Sequence, residues 1–337
     1  MYEGLGHVVL AGGEQAEVGV VVGPDTRWAE RLKKLLCHKG EPWNWQNSRV
    51  LRTNTGIGSR FYVLHRGGIP FANTMIAELS GVGILAHVWT RPEDREKRAC
   101  SELMRVLMED FRFRQGKALF LFTQFGSVAY RIYEKFGFRS VESQSGFMDW
   151  YATSKDEFEA PYFEEGATEI QPLGWTHWPS SPALFMGDFP GAVRCAPLKL
   201  IGRQSTQTPF LSLLRDEERR KTTDSRTLVL QSEETTAVVG FTAWDWHPRR
   251  KDTCLVDVYC HPNYWDQARN LLLSLPLPRA KRYVAYSDID CEHKAKVLLE
   301  AGFSQTTLPK RRLPSTLAKK SLLDVSLFEK ERLSNEK

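Results

Sequence analysis

The sequence lacks paired cysteines. Its six cysteines (Cys37, Cys100, Cys195, Cys254, Cys260 and Cys291) are scattered, and no two are spaced C-x-x-C. That pattern argues against a zinc site and against a disulfide framework, so a reduced, cytoplasmic chain without a metal is expected. Long apolar runs are missing too. Nowhere do about 18 apolar residues follow one another, so no membrane span is expected. The opening "MYEGLGHVVLAGGEQAEVG" has no basic region followed by an apolar stretch, so no signal peptide is expected. Charge of one sign is also scarce: 46 Lys and Arg stand against 41 Asp and Glu, a net +5. Such a mild, dispersed excess suits an anionic ligand and argues against nucleic acid as a partner.

What is present is ordinary globular composition, 42% hydrophobic and 26% charged, over 337 residues, a length that suggests two domains. "PDTRWAERLKKLLCHKG" reads as a helix capped by Asp25 and stopped at Gly40, with Trp28, Leu32, Leu35 and Leu36 on one face. "RFYVLHRGGIPFANTMIAEL" reads as two strands around Gly67-Gly68, and "GVGILAHVWT" as a strand apolar enough to be central in a sheet. A helix follows from about Ala99 to Gln115, then the buried strand "KALFLFT" and a short helix ending at Gly137.

The second half repeats this order. "RTLVLQSEETTAVVGFTAWDWHP" matches the strand pair and "TCLVDVYCHPNY" the central strand with its proline; "DQARNLLLSL", "KRYVAYSD" and "HKAKVLLEAGF" match the later elements. The expected division is a first domain over 1–151, an acidic linker over 152–166, a second domain over 167–325 and a tail over 326–337. The basic stretch from Lys310 reads as a final strand followed by a solvated end.

Between the central strand and the next helix lies "RPEDREKRACS", dense in charge. A helix start carries unbonded N–H groups and partial positive charge, which favours phosphate. Arg95, Lys97 and Arg98 add cations there. Cys100 reads as a small buried residue rather than a reactive thiolate.

The segment from about Phe61 to Val141 resembles the GNAT superfamily of N-acetyltransferases. The residues that carry the resemblance are "HVWT", the following "PEDR", Cys100 at the helix start, and "AYRIYEKFGF" after the next strand. The family's turn, Q/R-x-x-G-x-G/A, stands here as Arg95-Glu96-Lys97-Arg98-Ala99-Cys100, with arginine in place of the first glycine. The resemblance implies two GNAT-like domains of mixed α/β class, each a central twisted sheet flanked by helices. It implies acetyl-CoA or another acyl-CoA as co-substrate, its pyrophosphate held by the turn through Ser101 and its pantetheine arm paired with Val88, Trp89 and Thr90. Ser127, near the start of the later helix, is a further cofactor contact; the family's usual asparagine there is Gly126.

By the same resemblance Tyr133 protonates the departing CoA sulfur, with Tyr130 one turn earlier in reserve. No carboxylate stands in "GILAHVWT", so Glu78 and His87 are the candidate general bases. By strand alternation His87 shares a face with Leu85 and Trp89. The second copy has no basic, glycine-containing turn after "LVDVYCHP" and reads as a degenerate copy without the cofactor. Trp244 and Trp246 read as core, and His247 and His261 find no ligand partner at metal spacing.

The leading expectation is acyl transfer to the amine of a small molecule or peptide. The alternatives are a non-catalytic acyl-CoA-binding or scaffold protein, and a GNAT-like thioester decarboxylase using His87 and Thr90. Being three apart, those two point to opposite faces of a regular strand. The acceptor and the oligomeric state are not encoded in any motif.

Overall fold

The structure is a computed structural model. It describes residues 1–220, 225–289, 291–306, 311–314 and 322–331. Two compact units divide the chain: Met1–Phe158 with Trp178–Ser180 and Phe210–Arg215, and Glu159–His177 with Ser181–Pro209 and Asp216–Lys337.

The first unit begins with strands β1 (Tyr2–Val9) and β2 (Gln15–Val22) and helices α1 (Thr26–Leu36) and α2 (Trp43–Arg52). Asp25 caps α1 as expected, accepting the Trp28 N–H at 2.9 Å. Trp28, Ala29, Leu32, Leu35 and Leu36 form its buried face. Strands β3 (Gly58–Arg66) and β4 (Ile69–Leu79) form a hairpin across Gly67 and Gly68, both at positive φ. Next come β5 (Val82–Thr90), α3 (Ala99–Phe113), β6 (Ala118–Phe122), α4 (Val128–Lys135), β7 (Arg139–Ser140), β8 (Phe147–Tyr151) and α5 (Lys155–Tyr162), whose residues from Glu159 count with the second unit. The sheet order is β1-β2-β3-β4-β5-β6-β8-β7, with β5 and β6 its one parallel pair. Leu103, Met104, Leu107, Met108 and Phe111 of α3 seal one face together with Tyr62, Leu85, Leu119 and Phe138. The stretch read as a linker contains α5.

In the second unit the elements are β9 (Thr168–Pro172), α6 (Ser181–Met186), β10 (Val193–Cys195), β11 (Leu200–Ile201), α7 (Gln207–Arg220, whose middle counts with the first unit), β12 (Thr227–Ser232), β13 (Val238–Trp246) and β14 (Thr253–Cys260). After these come α8 (Ala268–Ser274), β15 (Arg282–Asp288), α9 (Glu292–Glu300), β16 (Ser304–Gln305), β17 (Arg311–Pro314) and β18 (Leu322–Glu331). The sheet order is β16-β18-β15-β14-β13-β12-β9, again with one parallel pair, β14 and β15. Read from the opposite end, this path matches the first sheet without its outermost strand, and β17 is an additional strand paired with β18. The chain is thus a tandem of two mixed α/β domains of one topology. Strand β18 runs past residue 325, the expected end of the second domain, because it pairs with β15 from Asp288↔Val325 to Arg282↔Glu331. The remainder of the expected tail, 332–337, lies outside the described residues.

Candidate functional site

Strand β5 is the centre of the first unit's candidate site. It is parallel to β6 only over Val82↔Ala118, Gly83↔Leu119 and Ile84↔Phe120. Beyond Ile84 the two strands part, and the β6-facing edge of β5 has no strand partner among the described residues. On its other side β5 stays paired with β4 as far as Ala72↔Thr90. The parted edge runs through Val88, Trp89 and Thr90 into the turn that opens α3.

That turn is a run of unbonded donors. The N–H groups of Glu96, Lys97, Arg98, Ala99, Cys100 and Ser101 have no hydrogen-bond partner among the described residues. Glu96 and Arg98 both sit at φ 64°, in the left-handed region. Positive-φ residues of this sort are the backbone feature from which anion-binding nests are built, and the run lies at the positive end of the α3 dipole. Arginine thus takes the backbone shape that glycine adopts without strain. Relieving that strain by Arg98→Gly is expected to stabilise the first unit by about 0.5–1 kcal/mol. A thermal melt checks it, and a lower midpoint would show that the arginine side chain is worth more than the strain.

The side-chain cations behave less uniformly than the sequence suggested. The Lys97 ammonium lies 3.0 Å from Asp94 Oδ1. Asp94 is buried, and Arg66, its first partner, holds its carboxyl below the usual carboxylate range, with Lys97 adding to the effect. The Arg95 Nε–H donates to the Thr90 carbonyl at 3.3 Å, and its guanidinium lies over the Trp89 ring. Arg98 is exposed, and its side chain has no partner among the described residues.

Tyr133, on α4, is only 5% exposed, and its hydroxyl has no hydrogen-bond partner among the described residues. Burial, and secondarily the nearby Cys100 thiol, push its pKa far above that of an ordinary tyrosine. Burial likewise pushes the Cys100 thiol up to about 11, so it is a protonated thiol at neutral pH. Tyr130 is engaged elsewhere, its hydroxyl paired with Ser140 Oγ at 2.8 Å, and Ser140 in turn donates to the Ser145 carbonyl. Ser127 Oγ caps α4 by accepting the Tyr130 N–H.

The two candidate bases are not brought together. Glu78 is bonded to Arg114 and lies 3.7 Å from Arg60. It faces Gly83 in the β4–β5 ladder, roughly 20 Å of strand away from Thr90. His87 lies nearer the turn, but not as simple alternation places it. The β4–β5 register shifts between Met75↔Ala86 and Asn73↔Trp89, and His87 takes φ 54°. This bulge turns His87 away from the α3 core that holds Leu85 and toward α2. There its Nε2–H donates to Gln46 Oε1 at 2.6 Å and its ring meets Trp43 edge-on, while Asn73 Nδ2 donates to its carbonyl. Gln46, Trp43 and Asn73 were missed by the sequence reading. The polar pair Asn73-Thr74 inside an apolar strand was the available signal.

Burial, with Lys39 and His38 as lesser causes, lowers the His87 pKa to about 3. The unfolded ring titrates near 6.5, so between the two values the unfolded chain binds the extra proton. The stabilisation is complete above about pH 6.5 and falls by about 1.4 kcal/mol per pH unit below it. His87→Asn, which tolerates positive φ, is expected to flatten that slope in chemical unfolding series from pH 7 to 4. An unchanged slope would remove His87 as its cause.

In the second unit the corresponding region is closed by the chain itself. Strands β14 and β15 are parallel only over Thr253↔Arg282, Cys254↔Tyr283 and Leu255↔Val284. Beyond that point Asp257 of β14 accepts the Ala196 N–H at 2.7 Å, and Asp288 of β15 accepts those of Ala192 and Val193. Lys294 of α9 is bonded to Asp257 and donates to the Val193 carbonyl at 2.7 Å, with both charged side chains 1% exposed. The turn before α8 spends part of its amides locally: Asn263 N–H on His261 Nδ1, Tyr264 on the His261 carbonyl, Gln267 on Tyr264 and Ala268 on Trp265. Trp244 is buried and Trp246 exposed, their rings edge to face. His261 stacks on Phe163, and burial lowers its pKa to about 4. His247 Nδ1 accepts the Arg249 and Arg250 N–H groups. Among the described residues no three of His, Cys, Asp and Glu are grouped as metal ligands, and no helix is long and apolar enough to cross a membrane.

No protein-family model matches this chain, and no curated protein does. Solved structures do. The GNAT domain of S. lividans PAT is 14% identical over 43% of this chain and 95% of its own, with a TM-score of 0.34. An acetyltransferase of the GNAT family from Staphylococcus aureus is 10% identical over 40% of this chain and 99% of its own, also with a TM-score of 0.34. The PaiA N-acetyltransferase from Thermoplasma acidophilum, solved in complex with coenzyme A, is 12% identical over 39% of this chain and 98% of its own, with a TM-score of 0.32.

Proposed function

We propose that the first unit transfers an acyl group from acyl-CoA to an amine, and that the second unit binds no acyl-CoA. The observation that carries the first part is the row of six unbonded amides from Glu96 to Ser101, set where β5 leaves its partner strand. An amide nest at a helix start suits a diphosphate, and a parted strand edge suits a ligand whose own amides extend the ladder. Coenzyme A carries both features, a diphosphate at one end and two amides along its pantetheine arm. Val88, Trp89 and Thr90 would pair with the arm, and the turn through Ser101 would hold the diphosphate. Arg98 would supply the phosphate-facing side-chain charge, since Lys97 and Arg95 are engaged elsewhere.

In the transfer, the amine nitrogen attacks the thioester carbonyl, the tetrahedral adduct collapses, and the C–S bond breaks. The departing sulfur takes the proton of the Tyr133 hydroxyl, the attacking nitrogen gives one to water, and a proton from water restores the Tyr133 hydroxyl. A pKa of about 3 makes the neutral His87 ring a poor proton acceptor at neutral pH, and Glu78 lies at the far end of the strand. The geometry therefore favours an acceptor proton that leaves through water.

The test is calorimetry with CoA on the whole chain, joined to a thiol-release assay with acetyl-CoA over a panel of small-molecule and peptide amines. Binding at one site with amine-dependent thiol release is expected. Binding without release would favour a non-catalytic acyl-CoA-binding protein, and no binding would overturn the proposal.

A further inference from the structure

The bulge that turns His87 toward α2 also brings it near the single turn that follows α1, Cys37–Lys39. The His38 ring of that turn lies against the Trp89 ring, with centroids 3.7 Å apart. The Arg95 guanidinium is 4.7 Å from the centre of the same indole. Trp43 of α2 meets His87 edge-on at 5.1 Å. The stretch of β5 along which the thioester arm would run is therefore flanked by rings and bases from three other segments of the first unit.

Lys39 completes the group. It is half-buried, and its charge is near enough to His87 to lower the pKa of that ring. Desolvation lowers the pKa of Lys39 itself. Its Nζ has no hydrogen-bond or ion-pair partner among the described residues, yet it stays open to water. The charged neighbours that shift His38 are Lys39 and Arg95, and those that shift His87 are Lys39 and His38, so every one of them is a base. Glu41, the nearest carboxylate in sequence, is paired with Arg215 at 3.3 Å. An ammonium partly withdrawn from water without a countercharge is destabilising, and an arriving anion relieves it.

We propose that the acceptor amine carries a carboxylate, which pairs with Lys39 beside the His38 and Trp89 rings, while the amine faces the thioester held along Val88, Trp89 and Thr90. The inference rests on the acyl-transfer reading and names the class of its second substrate. That class is an amino acid, or a peptide with a free carboxylate. The same cluster of bases repels a polyamine, which brings only positive charge.

The probe is N-acetylglycine, which has the acyl amide of a transfer product and one carboxylate. The control is N-acetylglycinamide, with a neutral amide in place of the carboxylate. Both are titrated into the ¹⁵N-labelled full chain while the indole N–H signals of Trp43 and Trp89 are followed. N-acetylglycine is expected to shift them saturably and to bind at least about tenfold more tightly than the control. Lys39→Met is expected to bring the two probes to equal affinity and to leave CoA affinity within a few-fold of the parent. Lys39→Arg, which keeps the charge, is expected to retain a preference for N-acetylglycine. No saturable shift in the parent chain, or equal affinity for the two probes, overturns the proposal. A loss of CoA affinity in Lys39→Met of about tenfold or more overturns it as well, because the cation then serves the phosphates of the cofactor. The two titrations involve neither thioester nor turnover, so their failure is distinct from failure of the acyl-transfer reading, which CoA calorimetry and thiol release decide.

Discussion

Replacing Tyr133 by phenylalanine is expected to lower the rate of thiol release by about 10²–10⁴-fold while leaving CoA affinity within a few-fold of the parent. The ring stays, so the packing against Phe138 and the start of α3 stays with it. Only the hydroxyl is lost, and nothing in the described protein bonds to that hydroxyl, so no internal hydrogen bond breaks. A residue whose sole role is packing would gain from losing an unbonded, nearly buried polar group. Stability and activity are therefore expected to move in opposite directions. Burial keeps the phenol protonated throughout the neutral range, so the parent rate should show no loss of acid on the alkaline side below about pH 9. The measurements are a thiol-release rate, a CoA titration and a thermal melt on one pair of proteins. An unchanged release rate would take Tyr133 out of the mechanism, whatever the melt shows.

The second large effect concerns the second unit and its stability. Lys294→Met leaves the Asp257 carboxylate buried without its countercharge and the Val193 carbonyl without its donor. Breaking a buried pair from one side costs about 3–5 kcal/mol. Removing both charges, as in Asp257→Leu with Lys294→Met, is expected to recover a large part of that loss, because no unpaired charge remains. The recovery is incomplete, since the Ala196 N–H also loses its acceptor. Urea unfolding of the three proteins gives the comparison. CoA binding by the first unit should be unaffected in all of them. Equal destabilisation by the single and double replacements would mean that the pair is not what holds segment 192–196 to the parted strands.

Much of the architecture could be read from the chain because it is local. Asp25 caps the helix that it immediately precedes, Gly67-Gly68 supply the positive φ of a tight hairpin, and α3 declares itself by Leu103, Leu107 and Phe111 at helical spacing. The tandem order was legible in the same way, and both sheets follow it. Of the candidate site the sequence offered a position, and the structure adds its geometry. The turn from Arg95 to Ser101 was identified, but three cations were counted as available where one side chain is unpartnered, because Asp94 and Trp89 engage the other two. Those partners are close in sequence, but their side-chain directions depend on Arg66 of β3 and on how β5 ends. His87 was assigned to a face by alternation, and a single bulge in the register with β4 reversed it.

The sequence by itself determined the two-domain order, the central strand with its charged turn, and the apolar stripes that close each core, since all of these follow from periodicity and from residues within a few positions of one another. Only the tertiary structure decided which amides remain unbonded, which way His87 faces, and that segment 192–196 joins the parted strands of the second unit through Asp257, Asp288 and Lys294. The physical reason is the same each time: a hydrogen bond is satisfied by whatever lies nearest in space, and here the nearest groups lie from tens to about a hundred positions away along the chain.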